Sequence, residues 1–123
     1  MTNRTVLYID DNDDNIRLVQ RVLKRSPDVE LRTATTGRAG IKAATDDPPA
    51  LILLDNRLTD SDGKQVMREL ASAPATAAVP VIIVSGDASR ETISDLRAAG
   101  AVDYLVKPVD IYLLMTVIGR YLG

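Results

Sequence analysis

The sequence predicts an α/β domain: a doubly wound, five-stranded parallel sheet with helices on both faces. Three observations lead there. Short apolar runs rich in β-branched residues recur at 6–9, 51–54, 81–84 and 104–106, which is how strands buried on both faces of a parallel sheet read. Stretches with apolar residues at helical spacing alternate with strands five times along the 123 residues, the pattern of repeated βα units. Each of the four runs also ends in a polar group able to do chemistry: Asp10-Asp11, Asp55, Ser85 and Lys107-Pro108. Parallel strands bring their C-terminal ends to one edge of the sheet, where open α/β folds place their sites.

The elements follow in order. After the first strand, Ile16, Val19, Val22 and Leu23 recur at helical spacing, and that helix should stop before Ser26-Pro27. Arg21, Lys24 and Arg25, the densest basic group, suit its C-terminal end. Residues 29–33 form a short, half-polar strand expected at a sheet edge. An Ala-rich helix over 37–45 is ended by Asp46-Asp47-Pro48-Pro49, and a third strand over 51–54 leads into a loop over 56–63. Val66, Met67 and Leu70 mark the apolar side of a helix closing near Pro74, and the fourth strand starts after Pro80. The next helix spans 89–99 with Gly100 as its C-terminal cap, a fifth strand spans 102–106, and the last helix spans 110–122. Right-handed crossovers leave few topologies, and the flavodoxin-like strand order 2-1-3-4-5 is the commonest for five βα units. Strands 1 and 3 then flank the switch point, making Asp10, Asp11 and Asp55 neighbours.

Composition narrows the chemistry. Hydrophobic residues make up 46% and charged residues 26%, with no Phe or Trp, so the expectation is one domain over 1–123, globular, with an aliphatic core. A net charge of −2 gives no electrostatic footprint for direct nucleic-acid binding. No Cys is present, which excludes disulfides and thiolate catalysis. No His is present either, so a Ser-His-Asp triad is impossible and a bound metal must be held by oxygen, favouring Mg2+ or Ca2+. No run approaches the length of a membrane span, and Met1 to Arg4 lead straight into a strand without a signal peptide. A cytoplasmic protein is expected, with no linker and no output domain after the last helix.

Taken singly, the strand-end residues have plain readings. Asp55 and Asp10-Asp11 are types that cap turns and helices, Ser85 could shape a turn with Gly86-Asp87, and Lys107 could be a solvated lysine. Four separate strand ends delivering carboxylates, a hydroxyl and an ammonium to one edge are hard to obtain from capping alone. Three ionised carboxylates so close repel one another, and a divalent cation together with Lys107 would balance them. Mg2+ suits such a site because it binds through a few carboxylates and keeps its other positions open. Asp55 would then be a nucleophile beside a Lewis acid, and carboxylates do form aspartyl phosphates. Lys107, Ser85 and backbone N–H groups near Gly86 would hold the phosphoryl oxygens.

Over residues 5–122 the chain resembles the receiver domains of two-component response regulators. The residues that carry the resemblance are Asp10-Asp11, Asp55 with the loop to Gly63, Ser85-Gly86 and Lys107-Pro108. The resemblance implies that Asp55 is the phosphoacceptor. It implies that Asp11, Asp55 and the main-chain carbonyl of Arg57 bind Mg2+, with Asp10 acting mostly through water. Ser85 takes the switch hydroxyl position, Lys107 contacts the phosphoryl group, Pro108 follows a cis peptide, and Tyr104 falls at the rotamer-switch aromatic. The donor would be a phosphohistidine of a histidine kinase or a histidine phosphotransfer protein. The domain would catalyse only its own phosphorylation and slow hydrolysis, either as a freestanding regulator or as a module of a hybrid histidine kinase.

Some residues depart from the family pattern or vary within it. Leu58-Thr59 stands where the family usually has Met-Pro, and loss of that proline would loosen the loop. Arg57 and Asp87 flank the phosphoryl pocket and are expected to pair across its mouth, hindering the hydrolytic water and lengthening the phosphorylated lifetime. On the last helix Ile111, Leu114, Ile118 and Tyr121 are expected to face the core. Tyr112 and Leu113 project the other way, so a homodimer or effector surface is expected on the fourth helix, fifth strand and fifth helix, near Tyr104. Two rival readings remain. One is a haloacid-dehalogenase-like phosphatase, for which Asp11 and Asp13 have the spacing but sit one residue late. The other is a receiver-like binding module that is never phosphorylated. The run from Asp11 to Asn15 looks like the start of an EF-hand loop, but Ile16 and Val22 stand where that loop needs Gly and Glu.

Overall fold

The computed structural model describes residues 3–122. The expected lead-in at Met1 and Thr2, and Gly123 at the other end, lie outside the described residues. The elements are β1 (Thr5–Ile9), α1 (Asp13–Leu23), β2 (Glu30–Ala34), α2 (Gly37–Asp46), β3 (Leu51–Asp55), α3 (Gly63–Ser72), β4 (Val81–Ser85), α4 (Arg90–Ala98), β5 (Asp103–Val106) and α5 (Ile111–Leu122). The strands form one parallel sheet in the order β2-β1-β3-β4-β5, the flavodoxin-like arrangement that the sequence predicts.

Alternation along each strand sends its apolar residues to two cores. Val6, Tyr8, Leu51, Leu53, Ile82 and Val84 pack with the apolar stripes of α1 and α5. Leu7, Ile9, Ile52, Leu54 and Ile83 pack on the other face against α2, α3 and α4. A strand buried on both faces cannot alternate apolar with polar, so β3 and β4 are buried at every position. Gly40 lets α2 lie close on β1, because a Cβ there would overlap the Ile9 side chain. Gly100 ends α4 at a φ of 115°, a backbone setting that favours glycine.

The helices begin on side-chain caps. Asn12, Thr36, Asp62 and Ser89 each accept a hydrogen bond from a backbone N–H in the first turn of the helix that follows. Several boundaries shift from expectation by one residue, α4 and α5 among them. The second strand runs one residue later than expected, because its half-polar edge sequence carries little apolar signal. The fifth strand begins at Asp103 rather than at residue 102. On α5 the buried residues are Leu114, Val117, Ile118 and Leu122, while Ile111 and Tyr121 are only half-buried. Tyr121 stays at the rim because its hydroxyl donates to the Val102 carbonyl at 3.2 Å.

The register places the site. Ile9 is paired with Leu54, Leu54 with Ile83, and Ser85 with Val106. The residues that end or follow β1, β3, β4 and β5 therefore meet along one edge of the sheet.

Candidate functional site

Asp10, Asp11, Asp55, Ser85 and Lys107 all reach that edge. Carboxylate oxygens of Asp10, Asp11 and Asp55 lie within 4.8 Å of one another. The Lys107 ammonium stands 3.1 Å from Asp10 Oδ2 and 3.5 Å from Asp55 Oδ1. Asp11 and Asp55 open onto a cleft of about 770 Å³ that Asn15, Arg57, Ser85 and Lys107 also line. Asp10 is fully buried behind it. Asp13, the second acid of the phosphatase-like spacing, belongs to the exposed first turn of α1 and is outside the carboxylate cluster.

The three carboxylates have different environments. Burial works against charge on Asp10, but the Tyr8 hydroxyl, the Asn12 N–H and the Lys107 ammonium outweigh it and hold its carboxyl below the usual range. Burial and then the neighbouring Asp10 charge push Asp55 the other way, and Lys107 and the Arg57 N–H offset only part of this. Tyr8 is raised by burial and by its hydrogen bond to Asp10. Asp11 is exposed. Among the described residues the cluster's three carboxylates have one ion-pair partner, the Lys107 ammonium, so negative charge is in excess, and the cluster's donors are all oxygens. That set fits a hard divalent cation.

Beyond the acids, Ser85 Oγ accepts from the Asp87 N–H at 3.1 Å, and the Lys107 N–H donates to the Ser85 carbonyl at 2.8 Å. Tyr104 is buried, and its hydroxyl donates to the Asp87 carbonyl at 2.6 Å. The Lys107–Pro108 peptide bond is cis.

The expected pairing of Arg57 with Asp87 does not form: among the described residues the two make no ion pair within 4.0 Å. The Asp87 carboxylate instead accepts from the Ser89 N–H at 2.8 Å and from the Thr92 hydroxyl at 2.8 Å. These short-range partners, led by the Ser89 N–H, hold its carboxyl below the usual range. A side chain two residues before a helix cap bonds locally at little conformational cost, so Ser89 and Thr92 win over the Arg57 guanidinium, whose charge adds only the smallest share to the lowering.

The loop after Asp55 carries Thr59 rather than a stiffening proline, yet it is held at several points. Gly63 N–H donates to the Asn56 carbonyl at 2.9 Å and Leu58 N–H to the Ser61 carbonyl at 3.1 Å. Asp60 reaches out of the loop and accepts from the Gly37 and Arg38 N–H groups at 2.8 and 3.1 Å.

Two site residues escape a reading of the sequence. Tyr8 donates its hydroxyl to Asp10 Oδ2, and Asn15 donates its amide to the same oxygen at 3.2 Å. The signal for Tyr8 is its position two residues before Asp10, on the same side of a strand. Away from the cleft, Tyr112 is 80% and Leu113 49% exposed on α5. Asp103 ties α4 to α5 through Arg97 at 3.8 Å and Arg120 at 3.3 Å. No helix among the described residues is long and apolar enough to cross a membrane.

Comparison with known proteins agrees with this geometry. The sequence matches the response regulator receiver domain family over residues 6–119. It is 34% identical over 110 residues to the response regulator PleD of Caulobacter vibrioides, covering 89% of this chain and 24% of PleD. It is 32% identical over 118 residues to the histidine-protein kinase BarA of Escherichia coli, covering 95% of this chain and 13% of BarA. A probable cyclic di-GMP phosphodiesterase of Vibrio cholerae is 30% identical over 96% of this chain and 26% of its own length. The chain thus spans about a quarter or less of the length of these relatives. Among solved structures, the receiver domain of sensor histidine kinase PA1611 from Pseudomonas aeruginosa superposes with a TM-score of 0.88 at 26% identity, with 99% of each chain covered. That structure has a magnesium ion coordinated in its active-site cleft. The chemotaxis response regulator CheY4 of Vibrio cholerae shares the fold with a TM-score of 0.90 at 24% identity, covering 98% of this chain and 100% of that one. By strand order, by the acids at its C-terminal edge and by this match, the chain belongs to the response regulator receiver domain family.

Proposed function

We propose that this chain is a phosphorylation-controlled switch in which Asp55 accepts a phosphoryl group from a partner's phosphohistidine. The observation that carries the reading is the meeting of Asp11 and Asp55 in an open cleft with Lys107 3.5 Å from the Asp55 carboxylate. One Asp55 oxygen attacks phosphorus, the P–N bond to the partner's imidazole breaks, and the imidazole leaves with the bonding electrons and takes a proton. Asp11, Asp55 and the main-chain carbonyl of Arg57 would hold Mg2+, with Asp10 behind them contributing through water. Bound there, Mg2+ supplies Lewis-acid neutralisation of the carboxylate and phosphoryl charge.

The chain's own residues do the rest. Lys107 turns from Asp10 toward the phosphoryl oxygens, and the Ser85 hydroxyl donates to them, giving up the Asp87 N–H. Asp87 carries the Tyr104 hydrogen bond on its carbonyl, so the β4–α4 loop and Tyr104 shift together and α4, β5 and α5 take a second packing. Phosphorylation selects that packing from those already populated. Arg57 and Asp87 flank the cleft and modulate the phosphorylated lifetime separately.

The partner is a histidine kinase or histidine phosphotransfer protein, a reading that the PleD and BarA matches support. Residues 1–123 act as one receiver domain with its core over 5–122, freestanding or within a hybrid histidine kinase. The exposed Tyr112 and Leu113 suit a homodimer or effector contact on the face of α4, β5 and α5. No step here turns over a small-molecule substrate. The setting is cytoplasmic, without direct nucleic-acid binding.

The test is incubation with acetyl phosphate and Mg2+. Stoichiometric, acid-stable and base-labile phosphorylation that Asp55→Asn abolishes is the expected result. Steady turnover of small phosphomonoesters would instead favour a phosphatase, and no labelling under any donor would favour a binding module.

A further inference from the structure

Among the described residues Asp10 has four hydrogen-bond donors, and they divide unevenly between its two oxygens. Oδ2 takes the Tyr8 hydroxyl at 2.5 Å, the Lys107 ammonium at 3.1 Å and the Asn15 amide at 3.2 Å. Oδ1 takes only the Asn12 N–H, at 2.9 Å. A carboxylate oxygen offers about two lone-pair positions. Oδ2 is therefore filled, while Oδ1 retains one place. The three donors on Oδ2 come from separate elements: β1, the first turn of α1 and the segment after β5.

The Asp side chain turns about a broad, roughly two-fold terminal torsion, so a buried carboxylate with a single partner could present either oxygen. Here three donors on one oxygen fix the plane of the group. The core around Tyr8 is otherwise aliphatic, and its ring would pack as well without a hydroxyl. The hydroxyl's job is set by what it touches.

We propose that Tyr8 and Asn15 are positioning residues for the cation site, clamping Asp10 so that Lys107 docks on Oδ2 and only Oδ1 faces the metal or its water. The inference rests on the cation site proposed above and adds two residues to it. Partners that orient a metal site's acids typically account for ~10- to 100-fold in metal affinity. Tyr8 and Asn15 share one oxygen, so each is expected at the lower end of that range.

The experiment is calorimetric titration of the whole chain with Mg2+ alone, for the wild type, Tyr8→Phe and Asn15→Ala. The expected result is a Kd raised on the order of 10-fold in each variant. A second readout separates positioning from packing. The chain has four tyrosines and no Trp or Phe, so its near-ultraviolet absorbance reports tyrosine alone. Mg2+ should produce a tyrosine difference spectrum that Tyr8→Phe removes and Tyr104→Phe keeps. Wild-type Kd values in both variants, or a difference spectrum that persists in Tyr8→Phe, would overturn the clamp. Asn15 is only half-buried, so Asn15→Ala decides the matter if Tyr8→Phe does not fold. A wild type that binds no Mg2+ overturns the cation site, and the clamp falls with it.

Discussion

The Tyr104 hydroxyl donates a 2.6 Å hydrogen bond to the carbonyl of Asp87, whose own N–H is given to Ser85 Oγ. One peptide unit on each side of Asp87 therefore links a hydroxyl in the cleft to a phenol in the core. A change at Ser85 should be felt at Tyr104. Tyr104→Phe and Ser85→Ala should each cost about 1 kcal/mol, the net worth of one hydrogen bond. If Asp87 transmits the effect, the double variant departs from additivity by about 0.5 kcal/mol or more in urea unfolding. Simple addition would show that the loop does not couple the two.

Asp55 is pushed up by burial and by the Asp10 charge, so its ionised form costs the folded state free energy at neutral pH. That cost disappears as pH falls through the raised folded value. In the presence of chelator, Asp55→Asn should therefore stabilise the protein, read as a raised Tm. Saturating Mg2+ should stabilise the wild type by about 2.7 kcal/mol at 100 times its Kd and the variant far less. Thermal unfolding with and without Mg2+ checks both, and a variant less stable than the wild type in chelator would contradict the charge argument.

How much of this was legible beforehand follows from which interactions leave a trace in sequence. Strands buried on both faces write unbroken apolar runs, so β1, β3 and β4 were readable, and the polar groups ending them marked the edge where Asp10, Asp55, Ser85 and Lys107 meet. Tyr8 was hidden because it sits inside such a run and counts as apolar there; its hydroxyl matters only once Asp10 is known to be buried. Asn15 was hidden in an acidic stretch that reads as a helix start. The expected Arg57–Asp87 pair failed because charge sign ignores competing local hydrogen bonds. Asp60 was illegible for a different reason: its partners, Gly37 and Arg38, are more than 20 residues away and are backbone groups, which carry no side-chain signature.

Asp60 braces the loop after β3 against the start of α2. The Arg38 N–H, then that of Gly37, hold its carboxyl below the ordinary value of 3.8. A lowered folded pKa means stability that is present above 3.8 and lost as pH falls through the lower folded value. Asp60→Ala should therefore lower Tm at neutral pH and make the acid limb of the stability profile shallower below 3.8. Amide exchange at Gly37 and Arg38 should quicken in the variant. An unchanged acid limb would show that the bond does not stabilise the fold.

Asp87 and Arg57 flank the same cleft but act through different partners. The Asp87 carboxylate holds the Ser89 N–H and the Thr92 hydroxyl, while Ser89 Oγ caps α4 by accepting the Thr92 N–H at 3.3 Å. Asp87→Ala should fray the first turn of α4, read as faster amide exchange over residues 89–92, and Arg57→Ala should leave that turn intact. Because the two side chains, among the described residues, form no ion pair within 4.0 Å and Asp87 is held by Ser89 and Thr92, their effects on the rate of phosphoryl loss from Asp55 should combine additively, within about 0.5 kcal/mol of activation free energy. Strong non-additivity would show that the pair forms across the cleft once Asp55 is phosphorylated, with Asp87 releasing Ser89 and Thr92 to make it. The capping geometry opposes that exchange. Releasing Ser89 and Thr92 would sacrifice two short hydrogen bonds for one exposed ion pair, and exposed pairs are worth less than about 1 kcal/mol.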